Sequence, residues 1–340
     1  MDQGKIDRSF FQREVYPRLG ADRDDVLLGP AHGVDFGAVE VGDRAVAVAT
    51  DPVWLLEDLP TERAAWLAVQ FLLADAAMSG LPPTHLTVGL NLPPSMPESA
   101  FSEFWGVLDR EARAHGASVV TGHTAAYEGC AYPAIGAGTT LAVGDPDRLV
   151  RPDGAEPGDR LLVTKGPAVE ATGLLAELFG DLLDLPAATV AAARERFPEI
   201  SPVEDALTAA RAGPVTAMHD ATERGLANAL TELAAASGVA LAVDRAAVPV
   251  APGVEAVCGA FDVDPWTASS EGAVLITVSA DGADAVLDAL ADAGIRAAAV
   301  GEVRAGEGVT VDGESVSVPD EDPLWAAYQR GRELRATREE

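Results

Sequence analysis

Lysine is almost absent from this chain of 340 residues: only Lys5 and Lys165 occur, and every other basic residue is arginine. Positive charge as a whole is scarce, with 54 acidic residues against 24 basic ones and a formal charge of −30. Nucleic acid and anionic membrane surfaces both require positive patches, so neither is expected as a partner. Cysteine is limited to Cys130 and Cys258, too few for a disulfide framework or a thiolate metal centre. Both read as small core residues in a reducing cytoplasm. No run of about 18 apolar residues suggests a membrane span. Residues 1–7 lack the charged-then-apolar layout of a secretion signal.

What remains is a folding sequence, 48% hydrophobic and long enough for two cores. Short β-like runs alternate with longer helical ones, which predicts an α/β or α+β fold. Strands are expected over 45–50, 85–92, 117–120 and 132–143, with helices over 61–79 and 98–115. The segment 144–158 is rich in proline, glycine and charge and reads as a boundary. It divides an N-terminal unit, 1–148, from a second α/β unit, 155–320. In the second unit strands are expected over 160–164, 215–218, 239–243, 274–278 and 296–303. Asp312-Gly313 predicts a hairpin, and 321–340 reads as an exposed terminal helix and tail.

Three aspartates stand where an isolated carboxylate is costly. Asp75 interrupts Phe71-Leu72-Leu73-Ala74-Asp75-Ala76-Ala77-Met78, about one turn before the helix stop at Gly80. Apolar surroundings and the negative end of the helix dipole both oppose its charge there. A cation must compensate, either a buried arginine or a metal. Asp51 ends the run Ala45–Thr50 and precedes Pro52, at a strand end of the kind where α/β folds gather ligand groups. Taken alone it is equally an ordinary turn residue. Asp35, between Gly33 and Gly37, gains weight from the other two. Hard divalent cations are held by carboxylate oxygens, usually together with substrate phosphates, so the trio reads as a magnesium–nucleotide site.

Other segments carry weaker signals. Thr121-Gly122-His123-Thr124 combines a glycine with hydroxyl and imidazole groups, although a lone histidine is more often structural. Gly166–Gly173 joins a strand to a helix and offers amides to an anion, without the Gly-Lys-Ser/Thr ending of a Walker A loop. His219-Asp220-Ala221-Thr222-Glu223 places Asp or Thr at a helix N-terminus, where capping alone accounts for it.

In this order the segments resemble a superfamily. It contains aminoimidazole ribonucleotide (AIR) synthase, the carbamoyl-dehydrating hydrogenase maturation factor, selenophosphate synthetase and thiamine-monophosphate kinase. The resemblance rests on Gly33-Val34-Asp35, Ala49-Thr50-Asp51-Pro52, Leu73–Gly80, Thr121–Thr124, Gly158–Gly166, Met218–Glu223 and Ala268-Ser269-Ser270-Glu271-Gly272, and covers nearly the whole chain. It implies a PurM-like pair of domains, of which the first dimerises through its sheet and binds ATP with Mg²⁺. It also implies transfer of the terminal phosphate to an oxygen of a small-molecule substrate. On that basis Asp35, Asp51 and Asp75 are the expected metal ligands. Thr50, Asp51, Gly122, His123, Thr124, Asp220 and Thr222 are the expected nucleotide contacts. Asp75 and His123 are the side chains expected to serve the transfer itself.

The chain departs from the family pattern at His123, where relatives carry an acid, at Arg224, where a second glycine is usual, and at Lys165, where a small residue is common. It also has no cysteine after Cys258 to match the acceptor cysteine ending the maturation factor's tail. Dehydration of a thiocarbamate on its own tail is therefore not expected, and the chain resembles the AIR synthase-related proteins without that tail. The rivals are a thiamine-monophosphate kinase and a nucleotide-binding regulatory dimer without turnover. The acid excess itself points to halophilic solubility. Screening should relieve the self-repulsion of −30 charges, so the thermal midpoint is expected to rise between about 0.1 M and 2 M KCl. A midpoint that stays flat or falls over that range rejects this reading of the charge.

Overall fold

The computed structural model describes residues 8–339, leaving Lys5 and the rest of residues 1–7 outside it. A short turn of helix, α1 (Arg8–Phe10), leads to β1 (Val26–Leu28), β2 (Gly37–Val41) and β3 (Arg44–Trp54). Helix α2 (Thr61–Ala77), β4 (Pro83–Leu92), α3 (Glu98–Ala114), β5 (Ser118–Ala126) and β6 (Ala134–Gly144) complete the N-terminal domain. Its six strands lie in the order β1-β2-β3-β6-β4-β5, all pairings antiparallel except β4 with β5.

Strand alternation divides this sheet into two faces. Ala47 and Ala49 are buried toward α2, whose Leu72 lies where a Cβ on Gly138 would collide at 2.9 Å. Asp51 pairs with Gly138 and so belongs to the same face. The opposite face carries Val46, Val48, Thr50, Thr139, Leu141 and Thr87, and no helix among the described residues covers it. Strand β5 forms the outer edge, and Val120 on it is 55% exposed.

The second domain begins with β7 (Arg160–Thr164) and continues through α4 (Val169–Phe179), α5 (Ala187–Arg194), α6 (Val203–Ala212) and β8 (Val215–Asp220). After α7 (Gly225–Ser237), β9 (Ala240–Val243) and α8 (Val254–Ala260) come β10 (Val274–Val278), α9 (Ala283–Asp292) and β11 (Ala297–Arg304). The hairpin β12 (Gly308–Val311) with β13 (Glu314–Ser315) precedes α10 (Pro323–Glu339). The seven strands run β13-β12-β9-β11-β7-β10-β8. Strand β10 is buried throughout, with Ile276 in one apolar core and Leu275 in another that includes Leu226 and Leu230 of α7. A strand covered on both faces is apolar nearly throughout, which is why Val274–Val278 shows no alternation; its one polar side chain, Thr277, has its hydroxyl 2.8 Å from that of Thr216. The larger core continues from α2 into α6, so one apolar mass joins the two domains.

Two elements differ from the sequence reading. The terminal helix is exposed along most of its length but docked by one stripe: Leu324 and Ala327 of α10 are buried, and Phe179 lies where a Cβ on Gly331 would come within 2.3 Å. The charged residues that suggest a solvated helix instead grip both domains through Arg335 and Arg330. Strands β1 and β2 escaped the hydrophobic pattern because they are short and sit at the sheet edge, where alternation is weak.

Candidate active site

The candidate site lies between the domains. Asp35 sits in the link between β1 and β2, Asp51 on β3 and Asp75 on α2, one turn beyond Leu72. Leu72 faces the sheet, and residues three apart on a helix share a face, so Asp75 points toward Asp51. The second domain adds Asp220 at the end of β8 and Glu271 in the loop before β10, adjacent strands whose Asp220 and Val274 pair. Five carboxylates from five segments thus converge.

Their mutual influence is visible in Asp75. It keeps a narrow opening to solvent, yet burial is the largest cause of a pKa raised well above the ordinary aspartate value. Repulsion from Asp51, Asp220, Asp35 and Glu271 pushes it further in the same direction. Asp35 is raised chiefly by burial, against the opposing attraction of His219.

His219 brings a cationic group into this cluster. Its Nδ1 donates to Asp35 Oδ2 at 2.5 Å and its Nε2 to Glu232 Oε2 at 3.3 Å. Burial opposes the charge of this 2%-exposed ring, but Asp35, Asp220 and Glu232 outweigh it and raise the pKa well above the usual histidine value. The contact also ties the first domain to the second. Gly33 lets the Asp35 segment approach α7: it adopts φ +73°, and a Cβ there would lie 2.7 Å from the Glu232 carbonyl oxygen.

Asp220 is the clearest sign that something is to be bound. It is 1% exposed, and neither carboxylate oxygen accepts a hydrogen bond; His219 Nδ1, 3.6 Å from Oδ1, is its nearest ion-pair partner. A buried anion left in that condition costs several kcal/mol unless a cation joins it. Ligand atoms of Asp35, His219 and Asp220 lie within 4.8 Å of one another, the one such group of three among the described residues. Both nitrogens of His219 are engaged with carboxylates, so the ligands this group offers are the oxygens of Asp35 and Asp220, which suit a hard divalent cation. Asp51 and Asp75 stand in the same charged neighbourhood but outside that tight group.

The other expected contacts are distributed differently. Thr50 is on the open sheet face, with its Oγ1 2.9 Å from Thr139 Oγ1. Gly122 is three strands from Asp51 along the row Asp51–Gly138–Val88–Gly122, roughly 14 Å at ordinary strand spacing. His123 is exposed on β5, and its Nε2 is 2.9 Å from the Tyr127 hydroxyl. Within one chain, then, Thr50, Gly122, His123 and Thr124 do not join the acids. Thr222 lies between Asp220 and the start of α7, and its carbonyl accepts from Gly225 and Ser270.

Sequence reading passed over His219, Glu232, Glu271 and Glu170 as site components. Glu170 opens α4 beside the Ser269–Glu271 loop. Burial pushes its pKa up to about 7, a hydrogen bond from Ser269 Oγ opposes this, and Asp322 and Glu223 add to it. The loop Gly166–Val169 does not offer a free row of amides: Ala168 N donates to Ser270 Oγ at 2.7 Å. Lys165 is consumed by Asp205, at 2.9 Å, and by the carbonyls of Ser201 and Gly272.

Comparison with known proteins places this arrangement. The family model for the N-terminal domain of AIR synthase related proteins matches residues 33–143, and that for the C-terminal domain matches residues 156–314. The chain belongs to the AIR synthase-related family. A carbamoyl dehydratase HypE from Azotobacter vinelandii is 30% identical over 253 residues, covering 71% of this chain and 70% of the relative. Matches to HypE from Rhizobium leguminosarum and Cupriavidus necator span 67% and 62% of those proteins. A selenide, water dikinase from Nitratidesulfovibrio vulgaris is 28% identical, covering 84% of this chain and 87% of the relative. Among solved structures, a hydrogenase maturation protein HypE in complex with ATP aligns with a TM-score of 0.66, 22% identity and 93% coverage of both chains. AaThiL complexed with AMPPCP and TMP aligns with a TM-score of 0.69 and 23% identity, covering 86% of this chain and 91% of that one.

Two of the departures from the family pattern acquire a physical meaning here. Arg224 and Lys165 both adopt left-handed backbone, with φ 62° and 57°. A side chain there costs on the order of 1 kcal/mol or more relative to glycine.

The site also sets a pH dependence. Asp75 binds its proton more tightly folded than unfolded, so its contribution to stability falls as pH rises above about 4 toward its raised pKa. His219 is favourable while charged, and that benefit is lost as pH rises through its own raised value. Asp75→Asn should therefore stabilise the metal-free protein by on the order of 1 kcal/mol or more, with the gain growing with pH. A thermal midpoint below wild type at about pH 8, in chelator, would contradict this electrostatic account.

Proposed function

We propose that this chain is an ATP-dependent, Mg²⁺-requiring enzyme that phosphorylates, and so activates, an oxygen atom of a small-molecule substrate. It is an enzyme by family: the relatives named above are a dehydratase and a dikinase. The observation that carries the reading is the buried Asp220 carboxylate, without a hydrogen bond, among the acids of both domains. Asp35, Asp51, Asp75 and Asp220 are the residues that would hold Mg²⁺. The bound metal would neutralise phosphate charge and orient the nucleotide for in-line transfer. His219 holds Asp35 in place by its Nδ1 hydrogen bond and contributes a positive charge to the otherwise acidic cleft. Of the two enzymatic readings, the sequence similarity to HypE and to the dikinase supports the HypE-like one.

We also propose a homodimer in the cytoplasm. The uncovered sheet face, with Val46, Val48 and Leu141, and the outer edge of β5 suit pairing with a second copy. Such a pairing would give Thr50 and the Gly122–Thr124 strand a place in the assembly that one chain alone does not provide. Free Cys130 and Cys258 are compatible with reducing surroundings.

Calorimetry with AMPPCP should show binding that requires Mg²⁺, and Asp75→Asn should weaken it by at least about tenfold while the fold survives. Nucleotide affinity unchanged by that substitution, or by removing Mg²⁺, rejects the metal-site assignment. Light scattering should return twice the 35.0 kDa chain mass, and Val48→Arg should reduce it to one. A monomeric wild-type protein rejects the dimer.

A further inference from the structure

Helix α10 lies beyond both matched family domains, which end at residue 314. Its first residues nevertheless reach the two loops that deliver the second domain's acids. Asp322, 6% exposed, accepts three backbone N–H groups: Arg224 at 2.5 Å and Ser269 at 3.4 Å on its two oxygens, and Leu324 at 2.8 Å. The Leu324 bond caps the helix itself. The other two bonds lead outward. Arg224 ends the segment Asp220–Arg224, and Ser269 precedes Glu271 by two residues.

One carboxylate therefore spans the two loops that carry Asp220 and Glu271. Its partner Arg224 is the left-handed residue that stands before Gly225, itself at φ 60°. Two successive left-handed residues form the turn that ends β8 and opens α7, and only the second is a glycine. An arginine resists that conformation, so its N–H needs a fixed acceptor to hold the turn. A charged acceptor makes the stronger kind of hydrogen bond. Gly225 must itself stay glycine, because a Cβ there would lie 2.4 Å from Ala268 O. Farther along, α10 docks on the first domain: Tyr328 Oη donates to Asp58 Oδ2, Arg335 pairs with Asp58 at 3.1 Å, and Trp325 packs on Trp54 at the end of β3.

We infer that Asp322 is a positioning residue: through Arg224 N and Ser269 N it sets the Asp220 and Glu271 loops in register for cation binding. This rests on the metal-site reading above for its consequence, but not for its geometry. Outer groups that orient metal ligands change metal affinity by about 10- to 100-fold when removed.

The test uses the full chain, two readouts and a rescue. Amide hydrogen exchange in Asp220–Gly225 and Ser269–Gly272 reports loop order, and Mn²⁺ binding followed by electron paramagnetic resonance reports the site. Asp322→Ala should speed exchange in both loops and weaken Mn²⁺ about tenfold or more. Adding Arg224→Gly should restore slow exchange in the Asp220 loop and recover part of the affinity, because glycine holds the left-handed turn without help. Arg335→Ala, which loosens the far end of α10, should leave both loops and Mn²⁺ affinity unchanged. Asp322→Asn, closer in shape and still able to accept, gives an intermediate loss and serves if the alanine variant fails to fold. Wild-type exchange in the folded Asp322 variants, or a glycine rescue that restores nothing, overturns the inference. Equal losses from Arg335→Ala would also overturn it by reducing Asp322 to a general support of the helix. Wild-type protein that does not bind Mn²⁺ would condemn the metal site, and exchange would still decide the role of Asp322.

Discussion

Repulsion among carboxylates in a poorly hydrated cleft is the constraint around which this molecule is arranged. Asp35, Asp51, Asp75, Asp220 and Glu271 come from separate segments, and Asp75 is made harder to ionise by its own burial first and then by the charges of the other four. Nothing in the hydrophobic effect gathers such groups. They are brought together because the segments that bear them are fixed elsewhere: β3 by the sheet, α2 by its apolar faces, β8 and β10 by mutual pairing. The energy of packing is large enough to hold a locally unfavourable arrangement, and a site built in that way is ready for a cation before the cation arrives.

His219 offsets part of that repulsion and has a second consequence. Its bond to Asp35 crosses from one domain to the other while Glu232 holds it within its own, so charge balance and domain contact are the same interaction. The continuous core between α2 and α6 supports the same junction from the apolar side. A change of charge in the cleft would therefore be felt at the domain interface, as mutual repulsion seeking relief by separation.

Local backbone strain is handled by equally specific partners. Lys165 and Arg224 occupy left-handed positions, and each is anchored by a buried aspartate, Asp205 for the ammonium and Asp322 for the peptide N–H. The scarcity of lysine sharpens the contrast. One of the two in the chain is spent on a buried structural pair, while the surface excess of acid is left to solvent and salt. Most acids here are solvated; the few in the cleft differ by position alone.

Much of the fold was legible because its elements are locally consistent. Helix α2 announces itself by an apolar run with a glycine stop, β10 by a short run of β-branched and apolar residues, and the hairpin near Asp312-Gly313 by its turn residues. The odd placement of Asp75 was also legible, since a carboxylate in an apolar helix is anomalous in one dimension. The partners of that carboxylate were not. From the residues alone Asp220 read as a helix cap, and only the family resemblance made it a nucleotide contact; Glu271 stood merely within a family segment, His219 as an unremarkable neighbour, and α10 as an exposed helix, because charge–charge proximity between segments more than 100 residues apart leaves no periodic trace in the chain. Sequence by itself determined the elements, the acidic balance and the family to which the pattern belongs. Tertiary structure alone decided which acids meet, which histidine lies between them, and that Thr50 and His123 stand apart on the sheet, because through-space electrostatics depends on distances that only the packed fold sets.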